Sequence, residues 1–251
     1  MEIQITNCIG NNLDIRDLKA AGDHANNFGI KAIVYGPAGT GKTPILNTAP
    51  RPVLLATEAG LLSMRGSTIP TFEAYTSQRV DEFFKWFFNS TETKNFDTLG
   101  IDSGSQIADI YLNAALTGTS KAGNKVHGQA AYGDMARHTM EHLRTLFYTR
   151  YKHVYLICKE EIADVDYQSL RRPYFPGKVL PVDVPHLYDF IIRLAKTQSI
   201  PNMPGEHLAF QCNGNMNVMA RNRTGNLADF EQPHFGNLIQ KAMNAPPLIN
   251  Y

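Results

Sequence analysis

Lys42 and Thr43 close the run Gly36-Pro37-Ala38-Gly39-Thr40-Gly41-Lys42-Thr43, and Pro44 follows. An ammonium and a hydroxyl set at the end of a loop with three glycines match the spacing G-x-x-x-x-G-K-[ST], whose chemistry is the cradling of phosphate. Gly36, Gly39 and Gly41 let backbone N–H groups approach phosphate oxygens that a Cβ would hold off. Lys42 can reach β- and γ-phosphates, and the Thr43 hydroxyl is placed to ligate Mg²⁺. A helix is expected next, with Pro44 in its first turn, and its N-terminus would add partial positive charge. The ligand these residues call for is a nucleoside triphosphate with Mg²⁺. A glycine-rich connector without a ligand is the competing reading, and eight matching residues between a strand and a helix weigh against it.

Phosphoryl transfer also needs acidic and basic groups around the terminal phosphate. Asp102 ends the apolar run FDTLGIDS and is the candidate to hold Mg²⁺ opposite Thr43; a helix-capping aspartate is the alternative. Ser103 and Ser105 could each cap the helix that follows. Glu58 ends the strand after the phosphate loop, where carboxyl ends of strands line a ligand crevice, and could orient the attacking water. A first-turn glutamate favoured by a helix dipole competes with that role. Lys159 and Glu160, at the end of HVYLIC, could sense the γ-phosphate or be solvated charges. Arg221 and Arg223 alternate along a strand, so they share a side and could reach a phosphate of a neighbouring subunit, or simply be a solubilising pair. His138-Thr139-Met140-Glu141-His142 matches H-x-x-E-H, yet no third metal ligand is evident and a polar helix face is expected.

The elements that must position these groups alternate. Strands are expected at Lys31–Tyr35, Pro52–Thr57, Phe96–Ser103 and His153–Glu161, with helices at Val80–Ser90, Ser105–Leu116 and Asp134–Arg150. EIQIT is β-prone, and DIRDLKAAGDHANN reads as a polar helix ending near Gly29. The aromatic stripe Phe83, Phe84, Trp86, Phe87 and Phe88 reads as core rather than as a base-stacking platform. Residues 167–185 look irregular. HLAFQC and MNVMAR flank Asn213-Gly214-Asn215 as a hairpin, and HFGNLIQKAMN forms a last short helix. The expected fold is α/β, a mainly parallel sheet flanked by helices with a C-terminal β-hairpin. One domain covers 1–251: an extension over 1–30, a core over 31–230, and a helix and tail over 231–251.

Composition narrows the class. The chain has 251 residues, 43% apolar and 19% charged, with a formal net charge of +1, so any nucleic-acid contact must come from local patches. Cys8, Cys158 and Cys212 are far apart and odd in number, which points to a reducing compartment and away from a cysteine zinc site. MEIQITNCIG lacks a signal pattern and no run approaches about 18 apolar residues. A cytoplasmic protein without membrane contact is expected.

The order IVYGPAGTGKT, PVLLATEAGLLS, FDTLGIDS, VYLICKEE, FPGKVLP and ARNRTG resembles the phage-encoded nucleotide-binding proteins with a minimal RecA-like core, the group that includes phage single-strand annealing proteins. It covers roughly residues 30 to 230. The resemblance implies a RecA-like P-loop ATPase, in the host cytoplasm if phage-encoded. Glu58 would activate water, Asp102 would support Mg²⁺, and Lys159 would be the sensor, in place of the usual Gln. Arg221 and Arg223 would cross to a neighbour's ATP in a ring or filament. Single-stranded DNA would lie on Thr117–Gly133, with Lys121, Lys125 and His127, and on Glu161–Pro181, with Arg171, Arg172, Tyr174, Phe175 and Lys178. A phage or host single-strand binding protein is a further expected partner. A nucleotide-dependent loading or assembly factor with little DNA contact is the main alternative, and a small-molecule kinase using the Arg171-Arg172 segment as a lid is the third.

Overall fold

The computed structural model describes residues 18–118, 128–165, 167–198 and 205–244. Its strands are β1 (Lys31–Gly36), β2 (Pro52–Ala56), β3 (Thr71–Glu73), β4 (Thr98–Asp102), β5 (His153–Val165), β6 (Gln168–Pro173), β7 (Phe190–Thr197), β8 (His207–Gln211), β9 (Arg221–Asn222) and β10 (Phe230–Glu231). Along the sheet the order is β10-β8-β7-β1-β5-β4-β2-β3, with β6 on β5 and β9 on β7. Every pair from β7 across to β3 is parallel, while the β8, β9, β10 and β6 pairings are antiparallel. This is the mainly parallel α/β sheet expected from the sequence. β1 lies between β5 and β7, so all six of its residues are buried, as near-continuous apolar runs must be in a sheet covered on both faces.

The helices are α1 (Ala21–Ala25), α2 (Ser77–Asn89), α3 (Gly104–Thr117), α4 (Gly128–Tyr148), α5 (Leu180–Leu187) and α6 (Phe235–Met243). Strand alternation divides the core in two. Ile33, Tyr35, Leu99, Ile101 and Leu156 face α2 to α5 and meet Phe83, Phe84 and Phe87, so the aromatic stripe is core. Ala32, Val34, Leu54 and Ile157 face the other way, onto α6 and Leu46.

Four departures from the sequence reading matter for function. After the phosphate loop there is only a 3₁₀ turn, Pro44–Thr48. Pro50 holds Ala49 extended (ψ 150°), and Leu46 plugs onto Gly100, where a Cβ would stand 2.3 Å from its Cδ2. β3 and β7 lie outside the strands expected from the sequence; β7 sits directly beside β1. The C-terminal hairpin is β7 with β8, not two arms around Asn213-Gly214-Asn215. There the chain only closes a tight Asn215–Val218 bridge, because β8 spends its other edge on β10. Finally, the segment read as irregular holds β6 and α5, since the outer half of β5 needs a hydrogen-bonding partner and β6 supplies it.

Candidate phosphate-binding site

The carboxyl ends of β1, β2, β4 and the inner part of β5 converge on a cleft of about 880 Å³ lined by Gly36 to Gly39, Gly41 to Pro44, Glu58, Asp102, Ser103, Lys159 and Glu160. Gly39 and Gly41 have φ of +74° and +83°, the left-handed region that side chains disfavour. At Gly36 a Cβ would lie 2.3 Å from the Leu194 carbonyl of β7, so glycine is what lets the loop start so close to the neighbouring strand. Lys42 Nζ donates to the carbonyls of Gly36 and Pro37, each at 2.8 Å, and the Tyr155 hydroxyl donates to the Lys42 carbonyl at 3.0 Å. Burial pulls the Lys42 ammonium below its ordinary pKa, with Asp102, Glu160 and Glu58 opposing.

Thr43 Oγ1 donates to Asp102 Oδ2 at 2.6 Å. Burial raises the Asp102 pKa, against the Thr43 hydrogen bond, with Glu58 adding to the rise and Lys42 opposing it. A hydroxyl and a carboxylate brought together at a phosphate loop form the hard oxygen set that Mg²⁺ takes with few protein ligands, so the residues present fit that ion.

Glu58 is fixed from two sides. Ser103 Oγ donates to its Oε1 at 2.6 Å and accepts the Gln106 N–H at 3.1 Å, capping α3. Lys159 Nζ lies 3.7 Å from Glu58 Oε1 and 3.6 Å from Asp109 Oδ2, and donates to Gln106 Oε1 at 3.0 Å. Ser103-x-x-Gln106 is the spacing of a capping box, a signal that could have assigned Ser103 its place. Asp109 carries no local signal. Glu160 is not a free sensor, because Arg193 of β7 grips it at 2.6 and 3.3 Å.

A family model described as an AAA domain matches residues 29–224, most of the chain. The chain belongs to the AAA domain family. It is therefore a nucleotide-binding ATPase of the P-loop class, and the matched span holds Lys42, Thr43, Glu58, Asp102 and Lys159. No curated protein matches the sequence. Among solved structures, the RadB recombinase aligns at 16% identity over 74% of this chain and 81% of that one, TM-score 0.38. The KaiC-like protein PH0186 from Pyrococcus horikoshii OT3 aligns at 13% over 73% and 79%, TM-score 0.37. The flagellar accessory protein FlaH from Methanocaldococcus jannaschii aligns at 14% over 74% and 78%, TM-score 0.35.

Other expected residues of this AAA domain stand elsewhere. Arg221 and Arg223 are at the opposite edge of the sheet, where β9 pairs with the start of β7. Arg221 donates to the carbonyls of Pro185 and Tyr188. Arg223 donates to Asp189 Oδ1 at 3.0 Å and to the His186 carbonyl at 2.9 Å. Both guanidiniums clamp the carboxyl end of α5, whose unpaired carbonyls attract cations, which corrects the expectation of a pair held ready for a neighbour's phosphate. The DNA set also divides. Lys121, Lys125 and His127 lie outside the described residues. Arg172 pairs with Glu161 at 2.8 Å, the Arg171 carbonyl accepts the Tyr35 hydroxyl, and Phe175 is 1% exposed. Phe175 therefore cannot stack on a base, because the turn after β6 folds it into the core on the α2-to-α5 face of the sheet. Tyr174 is half-buried and Lys178 exposed. His138 and His142 face α3, and His142 Nε2 lies 2.9 Å from Asp81 and 2.8 Å from the Tyr111 hydroxyl. Among the described residues no helix is long and apolar enough to cross a membrane.

Proposed function

We propose that the protein is a Mg²⁺-dependent ATPase that acts on single-stranded DNA as a homo-oligomer, in recombination or strand annealing of the phage-encoded kind its motif order resembles. The observation that carries the ATPase chemistry is the Thr43–Asp102 pair set in one cleft with Lys42 and Glu58. Mg²⁺, held by Thr43 Oγ1 and Asp102, would supply charge neutralisation across the β- and γ-phosphates. Lys42 exchanges its two loop carbonyls for phosphate oxygens. Glu58, oriented by Ser103, accepts a proton from the attacking water. Lys159 sits between Glu58 and Asp109, where its ammonium can turn toward developing charge.

The DNA reading rests on the motif resemblance and on one connection. Ser105 Oγ accepts the Lys159 N–H at 3.0 Å and donates to the Tyr174 carbonyl at 2.7 Å, while the Tyr174 N–H donates to the Lys159 carbonyl at 2.8 Å. These bonds tie Lys159 to the segment that presents Lys178. Hydrolysis measured with and without single-stranded DNA, beside Lys42→Ala and Glu58→Gln, tests the proposal. Loss of turnover in both variants and stimulation by DNA are expected; unchanged rates in the variants overturn the ATPase site, and no stimulation overturns the DNA role. The loading-factor reading is favoured by the β5–β6 ribbon, which exposes Ile162 and Val165. It expects negligible DNA retention on filters, where a DNA binder loses affinity steeply as salt rises.

A further inference from the structure

Asp109 takes no part in the chemistry derived above, yet it grips Lys159 from outside the cleft. The register of β1 on β5 sets Lys159 beside Gly36, the first residue of the phosphate loop, and Lys159 lines the cleft. Its backbone is pinned on both sides, because Ser105 Oγ accepts its N–H and its carbonyl accepts the Tyr174 N–H. Any movement of the ammonium toward a ligand therefore falls to the flexible four-carbon stem.

That ammonium is shared among acceptors on two elements. It donates to Gln106 Oε1 at 3.0 Å and stands 3.6 Å from Asp109 Oδ2 and 3.7 Å from Glu58 Oε1. Gln106 and Asp109 are three residues apart on α3 and so share a helix face. Glu58 belongs to the cleft lining, and Gln106 and Asp109 stand outside it. One positive charge is thus pulled by a carboxylate within the cleft and by another behind it. Asp109 is the more buried of the two, its side chain 27% exposed against 38% for Glu58. Burial pushes the Asp109 carboxyl up and the Lys159 charge pulls it back down, so an ammonium that turns away leaves that carboxylate poorly compensated. A terminal phosphate in the loop has to draw Lys159 against this pull.

We propose that Asp109 is a positioning residue that sets how strongly the site prefers a nucleoside triphosphate over a diphosphate. It acts through Lys159. A γ-phosphate competes with Asp109 for the ammonium, whereas a diphosphate has no group there and leaves the Asp109–Lys159 pair in place. The inference rests on the reading of Lys159 as the group that answers to the terminal phosphate, and it adds the residue against which that answer is measured.

The experiment is calorimetry on the full chain and on Asp109→Asn, Asp109→Glu, Lys159→Met and the double variant Asp109→Asn with Lys159→Met. The probes are the β,γ-imido analogue of ATP, which is not hydrolysed, and ADP, each with Mg²⁺; thermal melting accompanies every protein. Because the pair is partly exposed, its release in Asp109→Asn is expected to tighten the triphosphate analogue by about two- to fivefold and to leave ADP where it was. Asp109→Glu, which keeps the charge, should return the parent's ratio of the two affinities. Lys159→Met should lower that ratio, and in its background Asp109→Asn should change it no further. A ratio in Asp109→Asn at or below the parent's overturns the proposal while Lys159→Met still lowers it, and the reading of Lys159 then stands alone. The same rise in the Lys159→Met background overturns it too, since Asp109 would then act on the phosphate without Lys159. Equal weakening of both nucleotides with an earlier melt makes Asp109 a structural tie between α3 and β5 and overturns it as well. If Lys159→Met leaves the ratio unchanged, the reading of Lys159 falls and this inference falls with it.

Discussion

Ser103→Ala separates the proposed catalysis from folding. Ser103 is 2% exposed, and one oxygen serves two partners, the Gln106 N–H of α3 and the Glu58 carboxylate. Losing an N-cap costs about 1 kcal/mol. The Glu58 side chain is 38% exposed, so water replaces most of its lost bond and only about 0.5 kcal/mol more is expected. The sum, about 1.5 kcal/mol, lowers the melting temperature by roughly 3–6 °C in a chain of this size. The functional effect should exceed what that loss of stability explains. Glu58 keeps its charge but not its direction, and a displaced base or water-orienting group costs on the order of tenfold or more in kcat. Lys42, Thr43 and the loop are untouched, so calorimetric affinity for ATP should hold. Ser103→Thr, which keeps the hydroxyl, should restore kcat. Steady-state hydrolysis, calorimetry and thermal melting on the three proteins decide it. If Ser103→Ala melts earlier yet retains kcat within about twofold, Ser103 is only a helix cap and Glu58 does not act through it.

Three further outcomes follow from the same geometry. Glu160 and Arg193 are 12% and 16% exposed, so Glu160→Ala should cost about 3 kcal/mol by stranding a buried guanidinium, while Glu160→Ala with Arg193→Met recovers most of it; urea unfolding in which the double variant is no better than the single refutes this. His153 accepts the Ile30 N–H at 3.1 Å, and burial, aided by the Lys31 charge, pulls its pKa down to about 4 from 6.5. Between those values the unfolded chain binds more protons, so stability is lost as pH falls from 6.5 to 4, by about 2 kcal/mol after allowing for solvent. His153→Asn should flatten that slope, and parallel profiles for parent and variant would refute the assignment. Gly36→Ala forces a methyl against the Leu194 carbonyl, so β1 and β7 must part at a cost of about 3 kcal/mol; a melting temperature within error of the parent would show that the strands do not approach as described.

What the sequence determined by itself was local. The phosphate loop is a run of eight residues whose backbone demands are written in its glycines, and Glu58, Asp102 and Lys159 each end a recognisable apolar strand. Alternation of strands and helices was enough for a mainly parallel sheet, and the Phe83, Phe84 and Phe87 stripe for its packing face. The tertiary structure decided whatever depended on partners far along the chain. β7 meets β1 from about 160 residues away, and nothing in FIIRLAKT announces that neighbour. Glu160 looked like a sensor until Arg193 reached it, and Arg221 and Arg223 looked available until the end of α5 took them. Phe175 looked like a stacking residue until it was folded into the core. A side chain's type and spacing say what chemistry it can do. Whether it is free to do that chemistry is settled by the long-range contacts that satisfy it or leave it in solvent.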